Sequence, residues 1–256
     1  MTTGSRSDAP AASPRLGVGS VTDVPGVLLG HHQRTGPGWR TGTTVVMSRT
    51  GFTAGVDVRG GGPGTRETDA LRPGNLVSTI HAVCLSGGSA YGLAAADGVV
   101  GRLEQLGLGH PVGGDRAHLV PGVAVGVIFD LGRGGRFENR PDAGFGTRAT
   151  RRVSARNAAR GSIGAGTGAI SGGLAGGIGS ASMVIGEDAD RVTVAALAVV
   201  NSHGSVIDEN TGLPRVHDGS LTTPSATRRR ALVDAVRRSR RGPNDPASGE
   251  LNTTLV

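Results

Sequence analysis

Runs of apolar and β-branched residues recur along the chain between glycine-rich or polar stretches, and their lengths are those of strands. Thr43 to Ser48 and Phe52 to Arg59 flank a short Arg-Thr-Gly connection, which predicts a hairpin. Val77 to Leu85 and Val120 to Leu131 are apolar runs of the kind that forms buried strands. The pattern predicts a sheet at the centre of the fold.

A helix is predicted soon after Val77 to Leu85. Apolar residues recur there at helical spacing, at Leu93, Ala96, Val100 and Leu103. Gly107 is a suitable end for this helix, and Ser89 is expected to be its N-cap, accepting a hydrogen bond from a free backbone N–H. The segment therefore predicts a strand, a tight turn and a helix.

The second half of the chain predicts two more strands, Ala181 to Gly186 and Val192 to Val200, joined by the turn sequence Glu-Asp-Ala-Asp. Asn-Ser-His-Gly then separates Val200 from Ser205 to Asp208, which predicts another hairpin. The glycine-rich stretch Gly161 to Ser182 cannot form a stable isolated helix. We expect Gly164 to Gly179 within it to pack in the interior or to line the wall of the active site.

The composition is that of one domain with a small-residue core. The chain has 256 residues, of which 46 are glycine and only 2% are aromatic. Its core must therefore consist of Val, Ala, Leu and Ile, which favours layered sheets and helices.

The net charge of +7 is concentrated in one segment. Ser225 to Gly242 holds seven arginines and one aspartate, so the rest of the chain is close to neutral. A single basic run of this kind is typical of a solvated segment, whereas nucleic-acid binding favours a basic stripe across a folded face. We interpret residues 213–250 as an Arg-rich surface linker with at most a short helix around Leu232, Val233 and Val236.

Cys84 is the only cysteine, which excludes an internal disulfide and a thiolate zinc cluster and fits a cytoplasmic protein. The seven histidines show no metal-binding spacing. Residues 1–15 have the composition of a disordered tail, and no segment has the length or hydropathy of a signal peptide or membrane span. We expect no metal, no cofactor and no membrane contact.

Two catalytic motifs match the sequence only in part. Gly164 to Ala169 fits a dinucleotide fingerprint, and Glu187 follows at a suitable distance, but neither a strand before it nor a helix after it is predicted. Ser89 lies in a sequence similar to a nucleophile elbow, but Tyr91 occupies a position that requires glycine. Neither motif predicts its function here.

Polar residues elsewhere leave the chemistry open. Asp57, Asp97 and Asp130 lie in or beside apolar runs, where a carboxylate either caps a turn or takes part in acid–base chemistry. Thr253 follows Asn252 at the start of an apolar run, and a cut between them would give threonine a free α-amine that can act as base for its own hydroxyl. Spacing alone does not distinguish this from an ordinary turn.

Seven blocks in the same order resemble the L-aminopeptidase/D-esterase family, which includes nylon-oligomer hydrolases. They are VTDVPGVLLGHH, GGGPGTRETDAL, LSGGSAYGLAAADGV, VPGVAVGVIFDLG, GAGTGA with GGLAGGIGSAS, ALAVVNSHGSVID and LNTTLV. The resemblance runs from about Val21 to Val256 and is interrupted mainly by the basic segment.

This resemblance implies an α/β fold, a four-layer αββα sandwich of the aminopeptidase/ornithine acetyltransferase type. Precursors of the family cut themselves into α and β subunits, which assemble into larger oligomers. By position, residues 16–212 match the α-subunit core, and residues 251–256 match the cleavage site and the first residues of the β subunit. The resemblance thus implies an α subunit with only the start of its β subunit, a truncated sandwich that is expected to be inactive alone.

The resemblance also implies site residues. Thr253 matches the nucleophile produced by self-cleavage, Asn252 the residue left at the end of the α subunit, and Asn201 the asparagine of the oxyanion hole. Phe129 matches a substrate-pocket tyrosine of some relatives, and Ser171 lies in the stretch where nylon-oligomer hydrolases have a lysine. These two departures leave the substrate open and weaken the prediction of nylon hydrolysis.

The implied function is self-processing amidohydrolysis that removes N-terminal residues from small peptides, amides or esters through a threonine acyl-enzyme. Its implied partners are such a substrate, its own β subunit and further αβ units in a homo-oligomer, without nucleic acid. Two alternatives remain, a catalytically inactive scaffold or binding protein of the same fold and an acyltransferase of the ornithine acetyltransferase type. The coding sequence beyond Val256 would discriminate an enzyme from a scaffold.

Overall fold

The computed structural model describes residues 19–77, 79–217, 219–240 and 255–256. The strands and helices of this part follow in chain order: β1 (Leu28–Gly36), β2 (Trp39–Thr53), β3 (Thr65–Arg66), β4 (Thr79–Ser86), α1 (Ala95–Gln105), β5 (His110–Pro111), β6 (Leu119–Val120), β7 (Val123–Val127), α2 (Ala143–Arg151), β8 (Ile170–Ser171), β9 (Leu174–Ala175), β10 (Gly177–Ile185), β11 (Val192–Val200) and α3 (Ala226–Arg240). Short 3₁₀ turns lie at Val21–Asp23, Asp69–Leu71, Ser89–Ala94, Gly164–Gly166 and Asp188–Asp190.

Five strands form the central sheet in the order β1-β2-β4-β7-β3. β4 and β7 are parallel, and the other neighbours are antiparallel. A parallel pair needs a long crossover connection, and α1 lies in the connection between these two strands. The predicted strand, turn and helix around β4 and α1 are confirmed, and α1 ends before Gly107, whose φ is +71°.

One face of the sheet is covered by α1 and α2. The side chains of alternate residues point to this face and form an apolar core, which includes Val45, Met47, Ala82, Cys84, Val99, Leu103, Val123 and Val125. The two helices cross at Gly98 and Gly146, where a Cβ would lie 1.7 Å from the Ala143 carbonyl oxygen and 1.9 Å from that of Ala95, respectively. Glycine at both positions is therefore a requirement of the helix crossing.

The opposite face packs against the antiparallel hairpin β10–β11 and the turn at Gly164–Gly166. Their common core consists of Leu29, Leu85, Ile128, Ala165, Ala169, Ile178, Leu197 and Val199. The described part thus has three layers: helices, a five-stranded sheet and a second, smaller sheet. β10 and β11 confirm the two strands predicted in the second half of the chain.

Two predictions of local structure are wrong, and a third is right only in part. Arg49 to Gly51 do not turn the chain between two strands, because β2 runs through them with a register shift between Met47 and Phe52, and its hairpin partner is β1. Ser205 to Asp208 do not form a strand, and only an isolated bridge joins Ile207 to Pro214. The run Val120 to Leu131 does form a buried strand, but a shorter one than predicted: it is limited to the five residues of β7, and Val120 belongs to β6.

The Arg-rich segment contains a longer helix than predicted. α3 has 15 residues, and Val233 and Val236 are 9% and 3% exposed. Arg237 forms an ion pair with Glu209 at 2.5 Å, which connects the helix to the loop that follows β11. The apolar residues at helical spacing stabilise this helix by burial, which a count of its charges does not reveal. None of the helices in the described ranges is long and apolar enough to cross a membrane.

Candidate active site

A buried carboxylate connects the loops that follow β4 and β7. Asp130 is 4% exposed; its Oδ1 accepts the Gly88 N–H at 2.7 Å, and its Oδ2 accepts the Thr41 hydroxyl at 2.7 Å. Burial raises the pKa of Asp130 to about 6, and these two hydrogen bonds oppose the rise. Of the three aspartates left open by the sequence, Asp130 is the buried one, whereas Asp57 and Asp97 form exposed ion pairs with arginines.

Ser89 is not the N-cap that the sequence predicted. It is the first residue of the 3₁₀ turn before α1, its φ is +52°, and no side-chain hydrogen bond caps the turn. Gly88 precedes it with φ +85°, and the Ser89 N–H donates to the Ile128 carbonyl at 2.9 Å. The turn is held by backbone bonds to β7 and by Asp130, so the serine hydroxyl is not needed as a cap.

Asn201 is buried directly after β11. It is 1% exposed, and its Oδ1 accepts from Arg133 Nη1 at 2.6 Å and from the Ile170 N–H at 3.0 Å. Its amide nitrogen donates to the Phe129 carbonyl at 3.2 Å. A buried amide with partners at both ends is held rigidly, as an oxyanion-hole donor must be.

Phe129 and Ser171 lie beside Asn201. The Arg133 guanidinium stands 5.2 Å from the Phe129 ring centre, and Ser171, next to Ile170, forms a hydroxyl hydrogen bond of 2.6 Å with Ser202. The structure therefore brings together three of the residues that the resemblance selected. Thr253 and Asn252 lie outside the described residues.

Leu255 joins the second sheet beside this group. Its N–H donates to the Val199 carbonyl at 3.1 Å and its carbonyl accepts the Val199 N–H at 2.7 Å, so the two form an antiparallel pair. Its side chain packs over β7, where a Cβ on Gly126 would lie 3.0 Å from it. A cleft of about 280 Å³ opens next to Leu255, and its wall is formed by the loop at residues 55–65 and by central-sheet residues such as Val83 and Val127.

Part of the glycine-rich stretch packs in the interior, whereas Ala175 and Gly179 are exposed. Gly164 to Ala169 are all buried, and the Ala165 N–H donates to the Thr44 hydroxyl at 3.0 Å. A Cβ on Gly166 would lie 2.7 Å from the backbone of Gly177. The backbone that would cradle a phosphate in a dinucleotide site is thus packed against β2 and β10.

Sequence reasoning missed Arg133 and Thr41. Arg133 is 5% exposed, although arginine is rarely buried, and it lies between Gly132 and Gly134, whose φ values are +71° and +87°. The Gly-Arg-Gly sequence after a strand was the available signal. Within the described ranges, no three His, Cys, Asp or Glu side chains are grouped so that they could hold a metal ion.

Comparison with known proteins gives a family. The sequence model of peptidase family S58 matches residues 19–227. An uncharacterized aminopeptidase of Mycobacterium tuberculosis is 46% identical over 205 residues, which cover 78% of this chain and 57% of that protein. A 6-aminohexanoate-oligomer endohydrolase of Kocuria sp. is 39% identical over 110 residues, covering 43% of this chain and 27% of the relative. The chain thus spans 57% of the length of the mycobacterial relative.

Solved structures share the fold. A β-aminopeptidase of Burkholderia sp. superposes with a TM-score of 0.58 at 25% identity, over 75% of this chain and 54% of that chain. The L-aminopeptidase D-Ala-esterase/amidase of Ochrobactrum anthropi, described as a new variant among the Ntn hydrolase folds, superposes with a TM-score of 0.60 at 21% identity. The superposition covers 75% of this chain and 56% of that chain. The mixed α/β fold is therefore of this Ntn-hydrolase type. With the family match over residues 19–227, the chain belongs to peptidase family S58, which confirms the family indicated by its sequence motifs.

Proposed function

We propose that this chain carries the α-subunit half of a self-processing aminopeptidase, with Thr253 as nucleophile and Asn201 as oxyanion donor. The observation that carries the proposal is the pairing of Val199 with Leu255. In the sequence, Thr253 precedes Leu255 by two residues and Asn201 follows Val199 by two residues, so this pair joins the two segments that carry the proposed nucleophile and donor.

The proposed self-cleavage uses the Thr253 hydroxyl and the Asn201 amide. The Thr253 hydroxyl attacks the Asn252 carbonyl carbon, the C–N bond breaks, and an ester forms in its place. Water then hydrolyses the ester, which leaves a carboxylate on Asn252 and a free α-amine on Thr253. The Asn201 amide stabilises the oxyanion of the tetrahedral intermediate, and loss of one such donor typically lowers the rate by about 10²–10³.

Substrate hydrolysis follows the same course. The Thr253 α-amine accepts the hydroxyl proton while the oxygen attacks the substrate carbonyl, and the proton passes to the leaving amine or alcohol. Water hydrolyses the acyl-enzyme and restores the threonine. The names of the S58 relatives support N-terminal residues of small peptides, amides or esters as substrates.

The test uses the chain extended at Val256 with the C-terminal segment of the mycobacterial relative. Intact mass should show a cut between Asn252 and Thr253, and the product should hydrolyse amino-acid p-nitroanilides. We expect neither efficient cleavage nor turnover from the 256-residue chain by itself, because the resemblance implies that the β subunit is needed to complete the enzyme.

Thr253→Ala should abolish both the cut and the activity, and Thr254→Ala, its matched control, should keep both. Wild-type activity in an extended Thr253→Ala protein would disprove the nucleophile assignment, and Ser89 would become the next residue to test. An extended chain that folds but neither cuts itself nor turns over substrate would favour the scaffold alternative.

A further inference from the structure

Arg133 is a buried cation with an unusual partner. It is 5% exposed, and burial lowers its pKa, an effect that the charge of Asp130 opposes. Among the described residues, no carboxylate oxygen lies within 4.0 Å of its guanidinium, and its side chain instead donates to the Asn201 carbonyl oxygen at 2.6 Å. Burying a guanidinium is costly unless it is well paired, so this contact needs a reason beyond stability.

The local backbone directs Arg133 toward Asn201. Gly132 and Gly134 both have positive φ, which glycine adopts without strain, and the Arg133 N–H donates to the Asp130 carbonyl at 3.2 Å. Asp130 is itself fixed by Thr41 and Gly88. The turn therefore holds the Arg133 side chain against the buried Asn201 amide and away from solvent.

The contact determines which end of the Asn201 amide faces which way. Oxygen accepts and nitrogen donates, and both Arg133 Nη1 and the Ile170 N–H are donors directed at the same atom. That atom must be the oxygen, so the amide nitrogen faces the opposite side, toward the Phe129 carbonyl. Only the nitrogen end can donate to an oxyanion.

We propose that Arg133 is a positioning residue for the oxyanion hole: its guanidinium fixes the orientation of the Asn201 amide and polarises it, so that the amide N–H becomes a stronger donor. This inference rests on the proposed function. A hydrogen bond from a cation is about twice as strong as a neutral one, and chains of hydrogen bonds polarise one another. Arg133 acts through Asn201 and does not itself touch the reacting atoms.

A purely structural role is the competing interpretation, because Arg133 also stacks on the Phe129 ring at 5.2 Å. Arg133→Met keeps the length of the side chain and removes the donor, and Arg133→Lys keeps the charge. Arg136→Met is the matched control, because Arg136 is exposed in the same loop. If Arg133 had only a structural role, its replacement would change the free energy of unfolding but would leave the Asn201 amide signals and the values of kcat and KM unchanged.

The first measurement is independent of activity. The side-chain amide signals of Asn201 are assigned in ¹⁵N–¹H spectra of the 256-residue chain by their loss in Asn201→Asp. Arg133→Met should shift these proton signals upfield by several tenths of a ppm, Arg133→Lys should shift them less, and Arg136→Met should leave them in place. Unchanged Asn201 signals in a folded Arg133→Met protein would overturn the inference, whatever the activity.

The second measurement is kinetic, in the extended protein. Removing an oxyanion donor lowers kcat by about 10²–10³, so weakening it should cost Arg133→Met about 10- to 100-fold in kcat, with KM within about twofold. Arg133→Lys should recover part of the loss. If Arg133→Met has the same kcat as Arg136→Met, the inference about Arg133 is wrong and the proposed function stands. If the extended wild-type protein is inactive, the proposed function is wrong, and the Asn201 amide signals alone decide the inference about Arg133.

Discussion

The two faces of the central sheet are built differently. The face toward α1 and α2 has an apolar core, and the buried polar pair on this face, Thr43 and Ser86, share a hydrogen bond of 2.9 Å. Burial raises the pKa of the Cys84 thiol in this core to about 12, so that it is unreactive. The face toward β10–β11 buries polar groups, among them His31, Thr44 and Asn201. Burial lowers the pKa of His31 to about 4.

The two faces therefore differ in how their buried side chains contribute to stability. Apolar packing contributes free energy without hydrogen-bond partners, whereas a buried polar group costs free energy unless it is bonded. His31 has such a bond at Nδ1, to the Thr44 hydroxyl at 2.9 Å, but its buried Nε2 has no partner among the described residues. Asn201 and Arg133 satisfy each other, and the backbone of the glycine-rich stretch bonds to Thr44. The predictions below test this contrast.

The largest expected effect is on the helix face. Gly98→Ala places a methyl group where the Ala143 carbonyl lies and should cost about 3 kcal/mol of unfolding free energy or more, since backbone must move. Gly101→Ala, on the same helix with open space around it, should be neutral or stabilising by up to about 1 kcal/mol. Urea denaturation of both variants measures this. Equal stabilities would show that the crossing is not close-packed.

Asp130 should make stability depend on pH. Its pKa is raised from the usual 3.8 to about 6, so the folded protein binds the proton more tightly than the unfolded chain. The stabilisation that proton binding to Asp130 gives the folded state is complete below pH 3.8 and is lost as the pH rises through 6. The difference between the two pKa values corresponds to about 3 kcal/mol of unfolding free energy. The stability advantage of wild type over Asp130→Asn should therefore shrink between pH 4 and pH 6.5, whatever constant cost the lost hydrogen bonds add.

Asp97→Asn is the control for this pH dependence, because Asp97 is exposed and paired with Arg66 at the surface. It should change stability by less than about 0.5 kcal/mol at either pH. A wild-type advantage over Asp130→Asn that stays constant from pH 4 to pH 6.5 would refute the assignment to Asp130.

A smaller effect is expected in the glycine-rich stretch. Gly166→Ala should cost about 1–3 kcal/mol, because its Cβ would lie 2.7 Å from the backbone of Gly177. Gly179→Ala faces open space and should be nearly neutral. Thermal unfolding compares the pair. Micromolar affinity for NAD or ATP that is lost on Gly166→Val would instead favour the dinucleotide site rejected above.

The smallest effect concerns α3, which lies outside both faces. Val236→Ala should cost about 1.5 kcal/mol, since two buried carbon atoms are removed from a side chain that is 3% exposed. Arg230→Gln should stay within about 0.5 kcal/mol. Calorimetric unfolding checks both. A larger loss for Arg230→Gln would mean that the charge of this segment, and not its apolar side, holds the helix in place.

Local patterns predicted the elements whose signals are local. β4, α1, β10 and β11 follow from apolar periodicity and from turn residues, and Gly107 marks the end of α1. β1 and α2 were missed, although Asp142 caps α2 by accepting the Phe145 N–H, a signal that the sequence contained. The apparent turn at Arg49 to Gly51 became a register shift because pairing with β1 and β4 overrides local turn propensity.

The sequence by itself determined the family and the elements with local signals, since ordered motifs and periodicity are properties of the chain alone, and the family resemblance selected Asn201 as a candidate site residue. Only the tertiary structure decided that Arg133 contacts Asn201, that Asp130 joins two loops, and that Leu255 pairs with Val199. These contacts join positions dozens of residues apart. Their geometry arises when the sheets pack face to face, so spacing along the chain carries no record of it.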